Sequence, residues 1–223
     1  MSKALNAPPT SAPSATTPTA FPAASPTTSP TASLDALSGG FADASFDSAH
    51  AFRTLLDVMA RPGLIGRLMQ AKAPAPASPS LATALLTLCD GTTPLFLAPS
   101  HATPALKDWI AFHMGAPLTA DPAEAVFAVG SWDSLGGIER FAVGSDDYPD
   151  RSTTVLVETD WLANEGLRLT GPGIATSAFL NLPQSWLPAL QSNHALYPQG
   201  VDCFFCCEEA IAALPRSTRV EAG

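Results

Sequence analysis

Three of the chain's four cysteines fall within five positions, in the stretch "VDCFFCC" that holds Cys203, Cys206 and Cys207. Thiols so spaced occur in zinc sites, in redox centres and in hydrophobic strands. This stretch is apolar and aromatic and contains no glycine or proline, which is strand composition. In a strand, Cys203 and Cys207 face one side and Cys206 the other. At ~3.3 Å of rise per residue, Cys203 and Cys207 stand roughly 13 Å apart. Thiolates that share a zinc ion must lie within about 4 Å of each other. The spacing predicts core thiols behaving as small hydrophobes. A thiol or metal enzyme using the Cys203–Cys207 cluster is the rival reading.

"RLTGPGI" sets Gly171 and Gly173 directly after a strand, where phosphate loops lie. No Lys-Ser/Thr follows and a third glycine is missing, while Pro172-Gly173 also suits a type II turn. In "LPRSTRVE", Arg216 and Arg219 flank two hydroxyls. That group could hold a phosphate or close a salt-bridged strand end. Gly171, Gly173, Arg216 and Arg219 are thus the candidate anion-binding or partner surface. His50, His101, His113 and His194 stand apart from one another, and His113 sits on an apolar helical stripe. Neither a His-Glu-x-x-His pair nor a Gly-x-Ser-x-Gly elbow occurs. Asp146-Asp147 and Glu208-Glu209 read as solvated turn charges. No catalytic residue, metal ligand or cofactor is assigned.

The elements that must position these residues alternate. "SFDSAHAFRTLLDVMARPG" is a helix with Phe52, Leu55, Leu56 and Met59 on its apolar stripe, stopped by Arg61-Pro62-Gly63. "LIGRLM" is a strand. Ser80 is placed to cap a helix bearing Leu81, Leu85, Leu88 and Cys89. "PLFLA", "AVFAVG" and "TTVLVE" are buried strands. Between them lie a helix with Leu106, Trp109 and Ile110 inward and a weaker one around "SWDSLGGIERF". "LRLTGPG" is a half-exposed strand, and "PQSWLPALQ" a short helix strained by Pro188. The end, "IAALPRSTRV", is ragged. The alternation predicts an α/β fold, a single domain over 44–223 with a mixed sheet and helices on its faces. Residues 1–43 are rich in Pro, Ala, Ser and Thr and read as a disordered arm.

At 223 residues the chain supports one good-sized core. A net charge of -9 argues against nucleic acid and against an anionic membrane surface as partners. No apolar run reaches transmembrane length, and the first residues lack a secretory pattern. A cytoplasmic protein with reduced thiols is expected.

Six stretches, "FRTLLDVMARPG", "LLTLCDGTTPLFL", "FHMGAP", "LRLTGPGI", "YPQGVD" and "LPRSTRVE", resemble in that order the PhnH family of the bacterial carbon–phosphorus lyase system. The resemblance runs from about Phe46 to Glu221. It implies a subunit needed, with partners, to form α-D-ribose 1-methylphosphonate 5-triphosphate from ATP and methylphosphonate in organic phosphonate catabolism. It implies the PhnG, PhnI and PhnJ subunits as partners, with the chemistry on PhnI and PhnJ, and a homodimer for the isolated chain. It further implies a fold similar to the large domain of pyridoxal-phosphate transferases, reduced and without the cofactor. A reduced pyridoxal-phosphate enzyme remains a rival, which Lys72, in a Pro/Ala loop, and Lys107, on the polar side of a helix, suit poorly. The long N-terminal arm and the thiols Cys203 and Cys206 depart from the family pattern.

Overall fold

A computed structural model describes residue 1 and residues 37–223. The first half of the domain runs α1 (Ala44–Ala60), β1 (Gly66–Arg67), α2 (Pro79–Leu88), β2 (Leu95–Leu97), α3 (Pro104–His113), β3 (Leu118–Thr119), β4 (Phe127–Ser131) and α4 (Trp132–Leu135). The second runs β5 (Thr154–Glu158), β6 (Leu167–Thr170), β7 (Ala178–Leu180), α5 (Leu187–Ala195), β8 (Asp202–Cys207), β9 (Ala210–Leu214) and β10 (Arg219–Glu221). The apolar runs read as buried strands lie at the centre of a seven-stranded sheet ordered β1-β9-β8-β5-β4-β2-β3. The block from β8 to β3 is parallel, whereas β9 and β1 join antiparallel. The sheet is therefore mixed, as expected. A smaller antiparallel sheet, β10-β6-β7, is not hydrogen-bonded to it.

Side-chain alternation sorts the core into two layers. On one face, Leu55, Val58, Leu81, Leu85, Trp109 and Ile110 from α1, α2 and α3 bury against Leu95, Val129, Leu156 and Phe204. On the other, Leu135, Leu190 and the small-sheet residues Leu167, Leu169, Leu180 and Val220 cover Val155, Val157 and Phe205. Each large side chain removed from water contributes about 1.5–3 kcal/mol. Cys206 belongs to the first layer and Cys203 to the second, as strand alternation requires.

Local chemistry corrects several expectations. In α1 the buried face is Ala51, Leu55 and Val58, while Phe52 and Leu56 are exposed. The helix crosses so near β1 that a β-carbon on Gly66 would lie 2.8 Å from Thr54 Cγ2 and 3.0 Å from Val58 Cγ1. That approach favours the face with small residues. Ser78, not Ser80, caps α2, accepting from Leu81 N–H at 3.3 Å. Ser80 is buried in the first turn, where its N–H donates to the Glu208 carbonyl. Pro188 lies in the first turn of α5, where no N–H is required, so it causes no strain there. The tail expected to be ragged supplies β9 and β10, with Glu208 in a left-handed conformation (φ 48°) at the hairpin between β8 and β9.

Of the expected arm, residues 2–36 lie outside the described residues. Ser38–Phe41 lie against the domain. The Ser38 carbonyl accepts from Trp109 Nε1 at 3.1 Å, the Gly39 carbonyl accepts from Lys72 N–H at 2.7 Å, and Phe41 packs on the first core layer.

Candidate functional site

In the parallel block the chain leaves β2 toward β3 on one side and then returns to β4 on the other. Taken in chain order, the five parallel strands lie 2-1-3-4-5, and strand order reverses between β2 and β4. Open α/β sheets bind ligands outside the carboxyl ends of the strands at such a switch point.

The segment after β2 carries Ser100 and His101, and β4 ends in Ser131. Close packing draws the two together, since a β-carbon on Gly130 would lie 2.5 Å from that of Ala98. Ser100 Oγ accepts from Ser131 N–H at 3.1 Å and lies 2.9 Å from His101 Nδ1, while Ser100 N–H donates to Ser134 Oγ at 2.9 Å. Which of Ser100 Oγ and Nδ1 donates depends on the tautomer of the ring. His101 is 2% exposed, yet Nε2 has no hydrogen-bond partner. It faces Glu158 Oε2 at 3.8 Å, beyond hydrogen-bond reach. An unpartnered buried polar atom costs about 1–3 kcal/mol.

Glu158 ends β5 and accepts from Ser78 N–H at 3.3 Å, at the N-terminus of α2, where the helix dipole favours a carboxylate. It lines a cavity of about 470 Å³ together with Ser131, Trp132, Asp133, Asp160, Trp161 and Trp186. The rings of Trp132 and Trp186 stack with centroids 4.4 Å apart and planes within 15°, and Trp186 rests on Phe205. No lysine, arginine or histidine is among the lining residues. Sequence reading missed this site entirely. Its only trace was a histidine with no partner nearby in sequence.

The residues singled out from sequence lie elsewhere. Gly171-Pro172-Gly173 forms a turn in which Ile174 N–H donates to the Gly171 carbonyl at 3.2 Å, with Gly173 at φ 81°. This is the type II geometry. Pairing of Thr170 with Arg219 brings Gly171 beside Ser217–Arg219. Arg219 is exposed and makes no ion pair among the described residues. Arg216 turns away to the edge where the parallel strands begin. Its Nε and Nη2 donate to the two Asp202 oxygens at 3.1 and 2.6 Å, Nη2 also donates to Ser152 Oγ, and Nη1 to the Pro149 carbonyl. The structure therefore joins Gly171 to Arg219 and separates both from the Arg216 guanidinium.

The thiol reading does not gain from the geometry. Burial and the neighbouring Asp202 push the Cys203 thiol up to about 12. Burial drives Cys206 well above the ordinary thiol range. Such groups are poor nucleophiles. Among the described residues no three His, Cys, Asp or Glu side chains group as a metal site. His113 is partly exposed, with Nε2 3.2 Å from the Ser38 carbonyl. Lys72 and Lys107 are both exposed, unlike a Schiff-base lysine. No helix among the described residues is long and apolar enough to cross a membrane.

A family model described as "Bacterial phosphonate metabolism protein (PhnH)" matches residues 39–221. The α-D-ribose 1-methylphosphonate 5-triphosphate synthase subunit PhnH of Rhizobium meliloti (strain 1021) is 41% identical over 192 residues, covering 82% of this chain and 95% of that protein. With a match across nearly the whole described domain, the chain belongs to the PhnH family.

Proposed function

We propose that this chain is a subunit of an α-D-ribose 1-methylphosphonate 5-triphosphate synthase and serves as an assembly partner, with the bond-making and bond-breaking steps carried by other subunits. The observation that carries the reading is the 41% identity extending over 95% of the Rhizobium meliloti subunit. PhnG, PhnI and PhnJ are the partners, and the reaction joins methylphosphonate to the ribose of ATP with loss of adenine, in the cytoplasm. The domain is a reduced relative of the pyridoxal-phosphate transferase large domain. Exposure of Lys72 and Lys107 supports its having lost the cofactor chemistry.

A partner-covered surface is supported by α1, which leaves Phe46, Phe52 and Leu56 exposed at 70, 46 and 53%. Large apolar side chains gathered on one helix mark an interaction face, and a second copy covers it when the chain is alone. Arg219, with the Gly171–Gly173 turn beside it, offers a second, basic contact for an anion or for a partner's carboxylates. Co-expression with the PhnG, PhnI and PhnJ subunits, followed by native purification through one tag, tests the reading. Recovery of a stoichiometric complex is expected, and a chain that elutes alone overturns it.

A further inference from the structure

We propose that the tryptophan-lined cavity at the switch point binds a small organic cation, an alkylammonium or guanidinium ion. This site is independent of the chain's place in the synthase. Three of the four tryptophans in the sequence, Trp132, Trp161 and Trp186, line one cavity. Trp186 is stacked between Trp132 and Phe205, which leaves Trp161 and the far side of Trp132 as the indole faces for a ligand, and such faces attract cations through the ring quadrupole. Asp133, Glu158 and Asp160 share the lining with no basic side chain beside them there, and only the His101 imidazole, behind Glu158 at 3.8 Å, faces any of the three. A phosphate or phosphonate would be repelled there, and a cation held.

Glu158 presents its carboxylate to the cavity. Among the described residues its carboxylate receives one hydrogen bond, from Ser78 N–H, although a carboxylate offers about four acceptor positions. Behind it His101 Nε2 is buried, unpartnered and directed at the same carboxylate from 3.8 Å. A buried polar atom left without a partner, as His101 Nε2 is, calls for an explanation, and a ligand drawn to the neighbouring carboxylate supplies one. Asp133 and Asp160 make no ion pair among the described residues. The volume, about 470 Å³, lies in the range of small-molecule sites. It is large for a bare ammonium group and suited to a compact amine carrying substituents against the indoles.

The test is titration of the isolated full chain with choline and, separately, with ethylguanidinium, read by tryptophan fluorescence and by calorimetry. Saturable binding of at least one cation is expected, weakened by salt. Asp160→Asn and Trp161→Ala change exposed residues, so both variants keep the fold, as circular dichroism would verify. Each is expected to bind the cation about fivefold more weakly. Methylphosphonate is expected to give no saturable response. Failure of both cations to bind, undiminished affinity in both variants, or saturable binding of methylphosphonate overturns the proposal. So does binding of an arginine-containing peptide when neither free cation binds. Because no partner subunit takes part, failure of the co-purification leaves this result intact, and the reverse also holds.

Discussion

Arg216 and Asp202 clasp each other through two guanidinium nitrogens and both carboxylate oxygens, at 3.1 and 2.6 Å. The contact ties the segment after β9 to the first residue of β8, and the remaining guanidinium hydrogens reach Ser152 and the Pro149 carbonyl. Truncation would strand the Asp202 charge in a mostly buried place. Arg216→Ala is expected to cost about 2–3 kcal/mol of unfolding free energy in urea. Arg216→Lys recovers little, because an ammonium cannot reproduce the planar fork. Asp202→Asn added to Arg216→Ala is expected to be less damaging than the sum of the two single changes.

The turn after β6 packs against the end of α1. A β-carbon on Gly173 would lie 2.0 Å from the Ala60 carbonyl oxygen, at a φ of 81°. Gly173→Ala is therefore expected to destabilise by about 2 kcal/mol or more. Gly115, at φ 63° with open space around it, is the control. Gly115→Ala carries only the left-handed backbone penalty, about 1 kcal/mol. Equal losses at the two positions would refute the close-approach explanation.

Thiol accessibility differs sharply along β8. Cys203 and Cys206 are buried and burial pushes both thiols up, while burial and Asp90 push the Cys89 thiol up to about 12. Cys207 is only partly buried. A thiol-specific disulfide reagent at mildly alkaline pH should modify Cys207 first in the native protein, and the other three only on unfolding. Prompt reaction of Cys203 would contradict its place in the second core layer.

Alkaline stability follows from the same shifts. The folded state holds Cys203 as a neutral thiol to about 12, against an ordinary value of 9.0. Below 9.0 both states are protonated and the thiol has no effect on the balance. Above it the unfolded chain ionises first, so stability falls as pH rises from 9.0 toward about 12. Near pH ~10 the loss from one such thiol is about 1 kcal/mol. Cys203→Val, which keeps strand propensity and burial, should show a shallower decline in urea midpoint between mildly and strongly alkaline buffers.

The outer face of α1 separates folding from association. Phe52 and Leu56 are largely exposed, so Phe52→Ser and Leu56→Ser should each change stability by about 0.5 kcal/mol or less. If this face meets another subunit, the double variant should lose association by more than about tenfold. Sedimentation of the isolated chain and co-purification of the complex would both register it.

Much of the central sheet was legible because its strands are short, continuous apolar runs, and β2, β4, β5 and β8 lie where such runs occur. β9 escaped notice because "AIAAL" is mostly alanine, which carries little strand preference. In α1 two helical stripes share Leu55. The bulkier one looked like the core, but the near contact at Gly66 selects Ala51 and Val58. The crevice was illegible for a different reason. Trp132, Trp161, Trp186, Glu158 and His101 form no motif, and only the order of strands, set by long-range pairing, brings their segments to one end of the sheet. The reverse held for Arg216 and Arg219, close in sequence and divergent in space.

Within the described residues, β1 is hydrogen-bonded in the sheet through β9 alone, so the first strand to be synthesised awaits almost the last. During translation α1 emerges long before the hairpin against which it rests. α2, made soon after, covers part of its apolar face, but the part that rests on β9 stays uncovered on the ribosome until β9 has left the exit tunnel. A message truncated before residue 210 would yield a product with a gap at one side of the sheet, recognisable to chaperones and proteases by that surface.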